Sequence, residues 1–337
     1  MTRRSHPKHD GSKRPITHKN RPSYPESYSL AEKKKIAHQI RSYEDSEVAA
    51  DYQRLCEIGC HASQKSNKNR TGNKVVDHFT FFERLNTVGN KNVSFYQVWK
   101  NRAKFQDKSY VRGFLRFSRN KVGERNQTKT WYNLYRFYFS SINLFRPLVA
   151  MEYYCRYRPT CVLDFTMGWG GRLVGACALD VPKYIGIDQN RHLAAPYRHM
   201  KSFLTSQGTK TAMDLRFEDA LAVDYSKLDY DMVFTSPPYY TIEVYGGVDP
   251  PYATKEEWDD LFYRPLFSKT YDHMKSGGHY CLNIPKEVYE RVCVPLFGKA
   301  HSQFLLKKMD KGTKKNATKK EKTYHEYVYV WVRRGNP

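Results

Sequence analysis

The residues best suited to chemistry are Ser236, Pro237, Pro238 and Tyr239, at the end of the apolar run Met232 to Thr235. Consecutive prolines have fixed φ and no N–H, so a strand ladder must stop there. In an open α/β sheet this puts the turn beyond the carboxyl end of a strand, where such sheets bind ligands. The turn offers one small hydroxyl, carbonyls free of any competing proline donor, and an aromatic face. That combination suits a flat ring bearing an amine.

A second constellation lies upstream, where Val162-Leu-Asp164-Phe165-Thr166-Met-Gly168-Trp-Gly170-Gly171-Arg172 reads as strand, glycine turn and helix. Gly168 and Gly170 permit close approach of a ligand, and Gly171 permits tight entry into the helix. The run Tyr184 to Ile187 ends in Asp188, placed about twenty residues on to take both hydroxyls of a ribose. A third run ends at Phe217-Glu218-Asp219-Ala220, where Asp219 is placed to read an adenine amino group. One acid alone would be read as a helix cap; three sites in register outweigh that reading. A nicotinamide cofactor fits less well, because Leu173 stands where G-x-G-x-x-G has its third glycine and no dehydrogenase-like His/Arg set is present.

The order D-x-x-x-G-x-G, strand-terminal acid, then S-P-P-Y resembles the amino-group DNA methyltransferases that use S-adenosyl-L-methionine. The cofactor motif preceding the catalytic motif resembles that family's gamma arrangement, over roughly Asn143 to Val332. Phe145-x-Pro147 matches the segment the family places against the methionine end of the cofactor. The strings Val162 to Ala176 and Phe234 to Tyr240 are similar to methyltransferases carried by phages and large DNA viruses. One departure is Phe165-Thr166, where the family usually has Pro-Phe. The resemblance implies a Rossmann-like methyltransferase fold, a mostly parallel seven-stranded sheet with a C-terminal antiparallel pair, preceded by a helical region. It implies cofactor contacts from Phe145, Pro147, Asp164, Phe165, Thr166, Gly168, Gly170, Asp188, Asp219 and Ala220, and catalysis by the Ser236–Tyr239 turn.

Such chemistry has a clear requirement. An exocyclic base amine is a poor nucleophile because its lone pair is conjugated into the ring. An acceptor at each N–H frees that pair, and Ser236 Oγ and the Pro237 carbonyl are the expected acceptors, with Tyr239 stacking on the base. No Pro-Cys dipeptide occurs, which argues against a cysteine nucleophile attacking cytosine C5. The target base must be flipped out or single-stranded to reach the turn. Serine at the first position leans towards cytosine N4 in the family, aspartate towards adenine N6. Adenine N6, an RNA base, and an inactive nucleic-acid-binding protein of the same fold are the alternatives.

The elements that position these residues follow from the rest of the chain. Lys+Arg number 57 against Asp+Glu 34 in 337 residues, a formal net charge of +23, which favours a polyanionic partner, nucleic acid first. Residues 1–27 read as a disordered basic arm. Residues 28–140 read as a helical region, and residues 141–337 as the methyltransferase domain. In the helical part, one helix is expected from Ser29 to Arg54, with others over Val75 to Leu85 and Val93 to Arg102. Lys104 to Arg136 mixes basic and aromatic residues in a manner suited to a nucleic-acid groove, or to a helical cap whose aromatics form core and whose charges face water. From Cys161 onward short apolar runs alternate with helical stretches, the pattern of βαβ units. Two terminal strands, Gln303 to Met309 and His325 to Arg333, flank the lysine-rich Asp310 to Thr323. The loop Thr241 to Ala253 is placed to close over a base.

Seven cysteines, an odd number and several in apolar runs, read as reduced intracellular thiols. Cys56-x3-Cys60-His61 lacks a second ligand pair, so helix packing is expected there rather than zinc. No apolar run is long enough to span a bilayer, and a soluble protein of the cytoplasm or nucleus is expected.

Overall fold

The computed structural model describes residues 26–65, 69–89, 91, 93–122, 126–139, 142–240, 252–306 and 326–335. Nearly all of the basic arm, most of the Thr241 to Ala253 loop, and the Asp310 to Thr323 segment lie outside the described residues.

Seven strands form one sheet: β1 (Cys161–Asp164), β2 (Lys183–Ile187), β3 (Ala212–Arg216), β4 (Met232–Thr235), β5 (His279–Ile284), β6 (Ser302–Leu305) and β7 (Tyr327–Val332). Their order is β3-β2-β1-β4-β5-β7-β6. All pairs through β5 are parallel, and β7 runs antiparallel to both β5 and β6. Every residue of β1 and β4 is buried, as expected of strands covered on both faces. The sheet is thus the Rossmann-like one expected. Its strand order reverses between β1 and β4, which opens a crevice beyond their carboxyl ends.

The helical region contains α1 (Leu30–Ile40), α2 (Asp45–Ile58), α3 (Asn73–Asn86), α4 (Phe95–Lys100), α5 (Arg102–Gln106), α6 (Ser109–Val122) and α7 (Gln127–Tyr138). Ser29 caps α1 in a capping box with Glu32, as its position suggested. The single helix expected over Ser29 to Arg54 is two. Arg41 leaves α1 in extended conformation, and Glu44 and Glu47 form a fresh capping box that starts α2. Further on come α8 (Pro147–Tyr157), α9 (Gly171–Ala178) and α10 (Ala194–Ser206).

Between β4 and β5 the chain forms α11 (Lys255–Trp258), a π turn (Asp259–Tyr263) and α12 (Arg264–Asp272). After β5 the same design recurs as α13 (Lys286–Val288), a π turn (Tyr289–Cys293) and α14 (Val294–Phe297). Each π turn ends two residues before a proline, Pro265 or Pro295. The missing proline N–H cannot close an ordinary helical bond, and the wider turn accommodates it.

Apolar side chains gather in three clusters. One covers the sheet face under α8, α9 and α10, and includes Val48, Leu55 and Val75 from α2 and α3. Another fills the opposite face beneath α12. The third joins α1, α3, α4 and α7 through Phe81, Phe95, Trp131 and Tyr135. The first helices therefore share a core with the sheet.

One expectation about cysteine is overturned. Cys60, in a 3-10 turn after α2, is disulfide-bonded to Cys155 in α8. The partners are 95 residues apart with Cα atoms 5.4 Å from each other. An odd count conceals such a pair, because the other five cysteines remain thiols. Among the described residues no group of three or more His, Cys, Asp or Glu is arranged to hold a metal ion. No helix among them is long and apolar enough to cross a membrane.

Candidate active site

The crevice is lined by the turns after β1, β2, β4 and β5. In register, Thr235 of β4 lies beside Leu282 of β5, so Ser236 comes level with Asn283. Asn283 is 2% exposed in an otherwise apolar strand. Its Nδ2 donates to the Tyr327 carbonyl at 3.0 Å, which fixes the amide and turns Oδ1 towards the turn. Oδ1 then accepts from Ser236 Oγ at 3.2 Å and from Tyr239 Oη at 3.0 Å. A serine hydroxyl has one proton and two lone pairs. Ser236 Oγ also lies 3.3 Å from Tyr239 Oη, and with both hydroxyl protons directed at Asn283 the serine lone pairs are left to accept from an incoming donor. Asn283 was not singled out in the sequence, although a polar residue inside the run Tyr280 to Ile284 was a legible sign.

The proline turn is held from below. Tyr263, fully buried in the first π turn, donates to the Pro238 carbonyl and accepts from the Tyr240 N–H at 3.1 Å. Tyr240 has φ +52°, a left-handed conformation costly for a side chain of this size. Its hydroxyl is anchored on Asp259 Oδ1 at 3.0 Å, and Asp259 Oδ2 accepts from Arg291 Nε at 2.7 Å. Asp259 and Tyr263 belong to one π turn and Arg291 to the other, so both grip the proline turn. Pro237 is buried, and among the described residues nothing donates to its carbonyl.

The residues expected to contact a cofactor fall into distinct roles. Asp164 is fully buried and accepts four hydrogen bonds: two from Arg172 (2.6 and 3.0 Å), one from Tyr184 Oη (2.6 Å) and one from Thr235 Oγ1 (2.7 Å). Its lone pairs are used, so it positions the glycine turn and touches no ligand. Phe165 is buried in the core against Phe267 and offers only its backbone. Thr166 is half-buried, its hydroxyl 2.6 Å from that of Thr235. Because Thr235 donates to Asp164, Thr166 must donate to Thr235. The Phe-Thr departure from the family pattern thus ties β1 to β4 at the switch point.

The glycines also divide. Gly168 has φ +57°, and a side chain there would meet only the Thr166 carbonyl, at 3.9 Å; the space over it is open. A Cβ on Gly170 would strike Met200 at 2.8 Å, and one on Gly171 would overlap the Phe145 carbonyl at 1.7 Å. Gly171 is therefore required by packing and Gly170 by its φ of +93°, since the Met200 tip can shift, and of the three only Gly168 faces free space. The Phe145 backbone lies on the glycine turn, its ring edge-on to Phe234 and under the Arg172 guanidinium. Pro147 is buried at the first position of α8, the place where a missing N–H costs nothing.

Asp188 leaves β2 with Oδ2 accepting from Gly168 N at 2.8 Å and Oδ1 from Asn190 N at 2.9 Å. Each oxygen retains a lone pair, as a ribose diol requires. Burial pushes this carboxyl up to about 6, against the pull of the Asn190 and Gly168 N–H groups. Asp219 is exposed and caps the short turn Ala220–Ala222 through Leu221 N at 2.9 Å. Ala220 is buried beside it. The site thus brings together Gly168, Asp188, Thr166, Ser236 and Tyr239, with Asn283 and Tyr263 supporting the turn.

No family model matches this sequence, and no curated protein does. Among solved structures the chain is similar to TrmN from Thermus thermophilus, with 15% identity, 56% of this chain and 48% of that one covered, and a TM-score of 0.38. It is similar also to a SAM-dependent O-methyltransferase from Thermotoga maritima (12% identity, 60% and 71% covered, TM-score 0.39). An rRNA methylase from Streptococcus thermophilus is a third (13% identity, 52% and 87% covered, TM-score 0.34). The chain spans about half the length of TrmN.

Proposed function

We propose that this chain is an S-adenosyl-L-methionine-dependent methyltransferase acting on an exocyclic base amine of DNA, cytosine N4 first. The observation that carries the reading is the proton accounting at the turn. Ser236 Oγ, its proton held by Asn283, and the Pro237 carbonyl supply one acceptor for each N–H of an amine. Acceptors at both protons draw the nitrogen towards tetrahedral geometry and free its lone pair. A neutral serine also suits cytosine, whose N3 is itself an acceptor that a carboxylate would repel.

The residues present fit the cofactor. Open space over Gly168 admits a ligand against the backbone, and Asp188 has the free lone pairs to hold a ribose. Asp219 would take the adenine amino group, and the Phe145 segment would lie along the methionine end. When bound, S-adenosyl-L-methionine supplies a methyl group on a sulfonium, a leaving group already activated. Orientation by the turn is then the main remaining requirement. The formal charge of +23 supports a nucleic-acid substrate.

The test is to incubate the protein with S-adenosyl-L-methionine and unmethylated DNA, digest to nucleosides and identify the product by mass spectrometry. N4-methylcytosine is expected, abolished by Ser236→Ala with Tyr239→Ala while cofactor binding persists. N6-methyladenine would refute the cytosine assignment. Modification of RNA alone would refute the DNA assignment, and full activity in the double variant would refute the role of the turn.

A further inference from the structure

The helical region carries a surface that the methyl-transfer site does not use. Seven large apolar side chains are exposed among the described residues, and four of them, Tyr110, Phe117, Phe137 and Tyr138, lie on α6 and α7. Phe137 is 70% exposed at the end of a helix whose opposite face is core. The rings adjoin: Tyr110 and Tyr138 have centroids 4.8 Å apart, and Phe114 and Phe137 5.9 Å. Isolated surface aromatics need no explanation, but a contiguous group does.

Cations surround this group. Residues 104–139 contain nine Lys or Arg against two acids. Lys108 immediately precedes α6, and Arg112 and Arg116 follow on the helix at four-residue spacing, about 6 Å apart along the axis. Among the described residues none of these three, nor Arg136 of α7, pairs with a carboxylate. From Arg136 the positive charge continues towards the site. Arg70 and Arg146 both donate to the Asn69 carbonyl, each at 3.5 Å. Burial and then the neighbouring Arg136 charge lower the Arg70 pKa, and burial and then Arg70 lower that of Arg146. Arg146 adjoins Phe145, which packs on the glycine turn. Tyr138 and Phe145 are seven residues apart, a reach of at most about 25 Å.

We infer that the α6–α7 face is a landing platform for single-stranded nucleic acid, stacking bases on Tyr110, Phe137 and Tyr138 and leading the backbone past Arg136, Arg70 and Arg146 to the site. Adjoining ring faces accept any base once it is unpaired, whereas a duplex keeps its base faces stacked inward. The charge complements a phosphate chain and excludes a basic partner. The inference deepens the proposed function, on which it rests for the chemistry delivered at the end of the track.

The platform is tested by fluorescence anisotropy with a labelled 20-nucleotide single strand and its duplex, at two salt concentrations. The proteins are wild type, Phe137→Ala with Tyr138→Ala, and Arg112→Ala with Arg116→Ala, with thermal melting to verify folding. The expected result is single-strand affinity at least about tenfold above duplex affinity, falling about tenfold or more in the aromatic variant. The arginine variant should have a smaller dependence of affinity on salt. Single-strand affinity within twofold of wild type in both variants overturns the inference, as does equal loss of duplex affinity. A change of oligomeric state in the aromatic variant without loss of binding also overturns it, by assigning the face to a second copy. Binding does not require turnover, so platform variants that lose single-strand affinity support the inference even if no base is ever methylated.

Discussion

Asn283 performs no chemistry in the proposed reaction, yet it decides what Ser236 can do. Its amide is fixed by the Tyr327 carbonyl and presents an acceptor to the Ser236 hydroxyl. Without it the hydroxyl can turn its own proton towards the substrate amine. Replacing Asn283 by Ala should lower the methyl-transfer rate about 10- to 100-fold, the effect of misdirecting one buried hydrogen bond. Cofactor affinity should stay within twofold; parallel loss of both would mark a merely structural role. Asp188 gives a pH signature. Its carboxyl titrates near 6 in the folded protein, and only the ionised form keeps an acceptor free at each oxygen. Cofactor affinity should therefore be level above about pH 7 and fall as pH drops through 6, approaching tenfold per unit. Calorimetry from pH 5 to 8 reads this, and an Asp188→Asn variant with the same pH profile would reassign it.

At the scale of elements, the two π turns are the supports of the Ser236–Tyr239 turn. An ordinary helix from Trp258 to Asp272 would displace Tyr263 from beneath the Pro238 carbonyl and Tyr240 N–H. Tyr263→Phe leaves the ring in place but orphans both backbone groups. It should cost about 1–3 kcal/mol, the range for buried unsatisfied polar atoms. Transfer should slow while cofactor binding is kept, since Gly168 and Asp188 lie in the turns after β1 and β2. Denaturant melts and single-turnover rates measure the two effects separately. Periodicity reveals a helix over this stretch because the apolar spacing survives one wide turn. It cannot reveal the wide turn itself, whose only trace is the Arg264-Pro265 pair and its counterpart Val294-Pro295. The Ser29 cap was legible for the opposite reason: a capping box is complete within four residues. The break at Ser42 to Glu44 was not, because both flanking helices continue the same apolar spacing.

In the whole molecule, the legible features are those written into consecutive residues. The buried strands β1 and β4, the glycine turn and the proline turn each carry their geometry in a short string. What joins distant strings was not legible. The Asp164 carboxylate reads as a ligand group until Arg172, Tyr184 and Thr235 are seen to saturate it. Thr166 departs from the family pattern, and only contact with Thr235 of another strand gives it a role. Cysteine pairing is the extreme case, with 95 residues between the partners. That bond makes a closed covalent ring of the chain from Cys60 to Cys155, with α3 to α7 strung along it and α8 as its clasp. A single cut anywhere between the two cysteines opens the ring but releases no fragment, so a nicked protein travels as one piece until thiol is added.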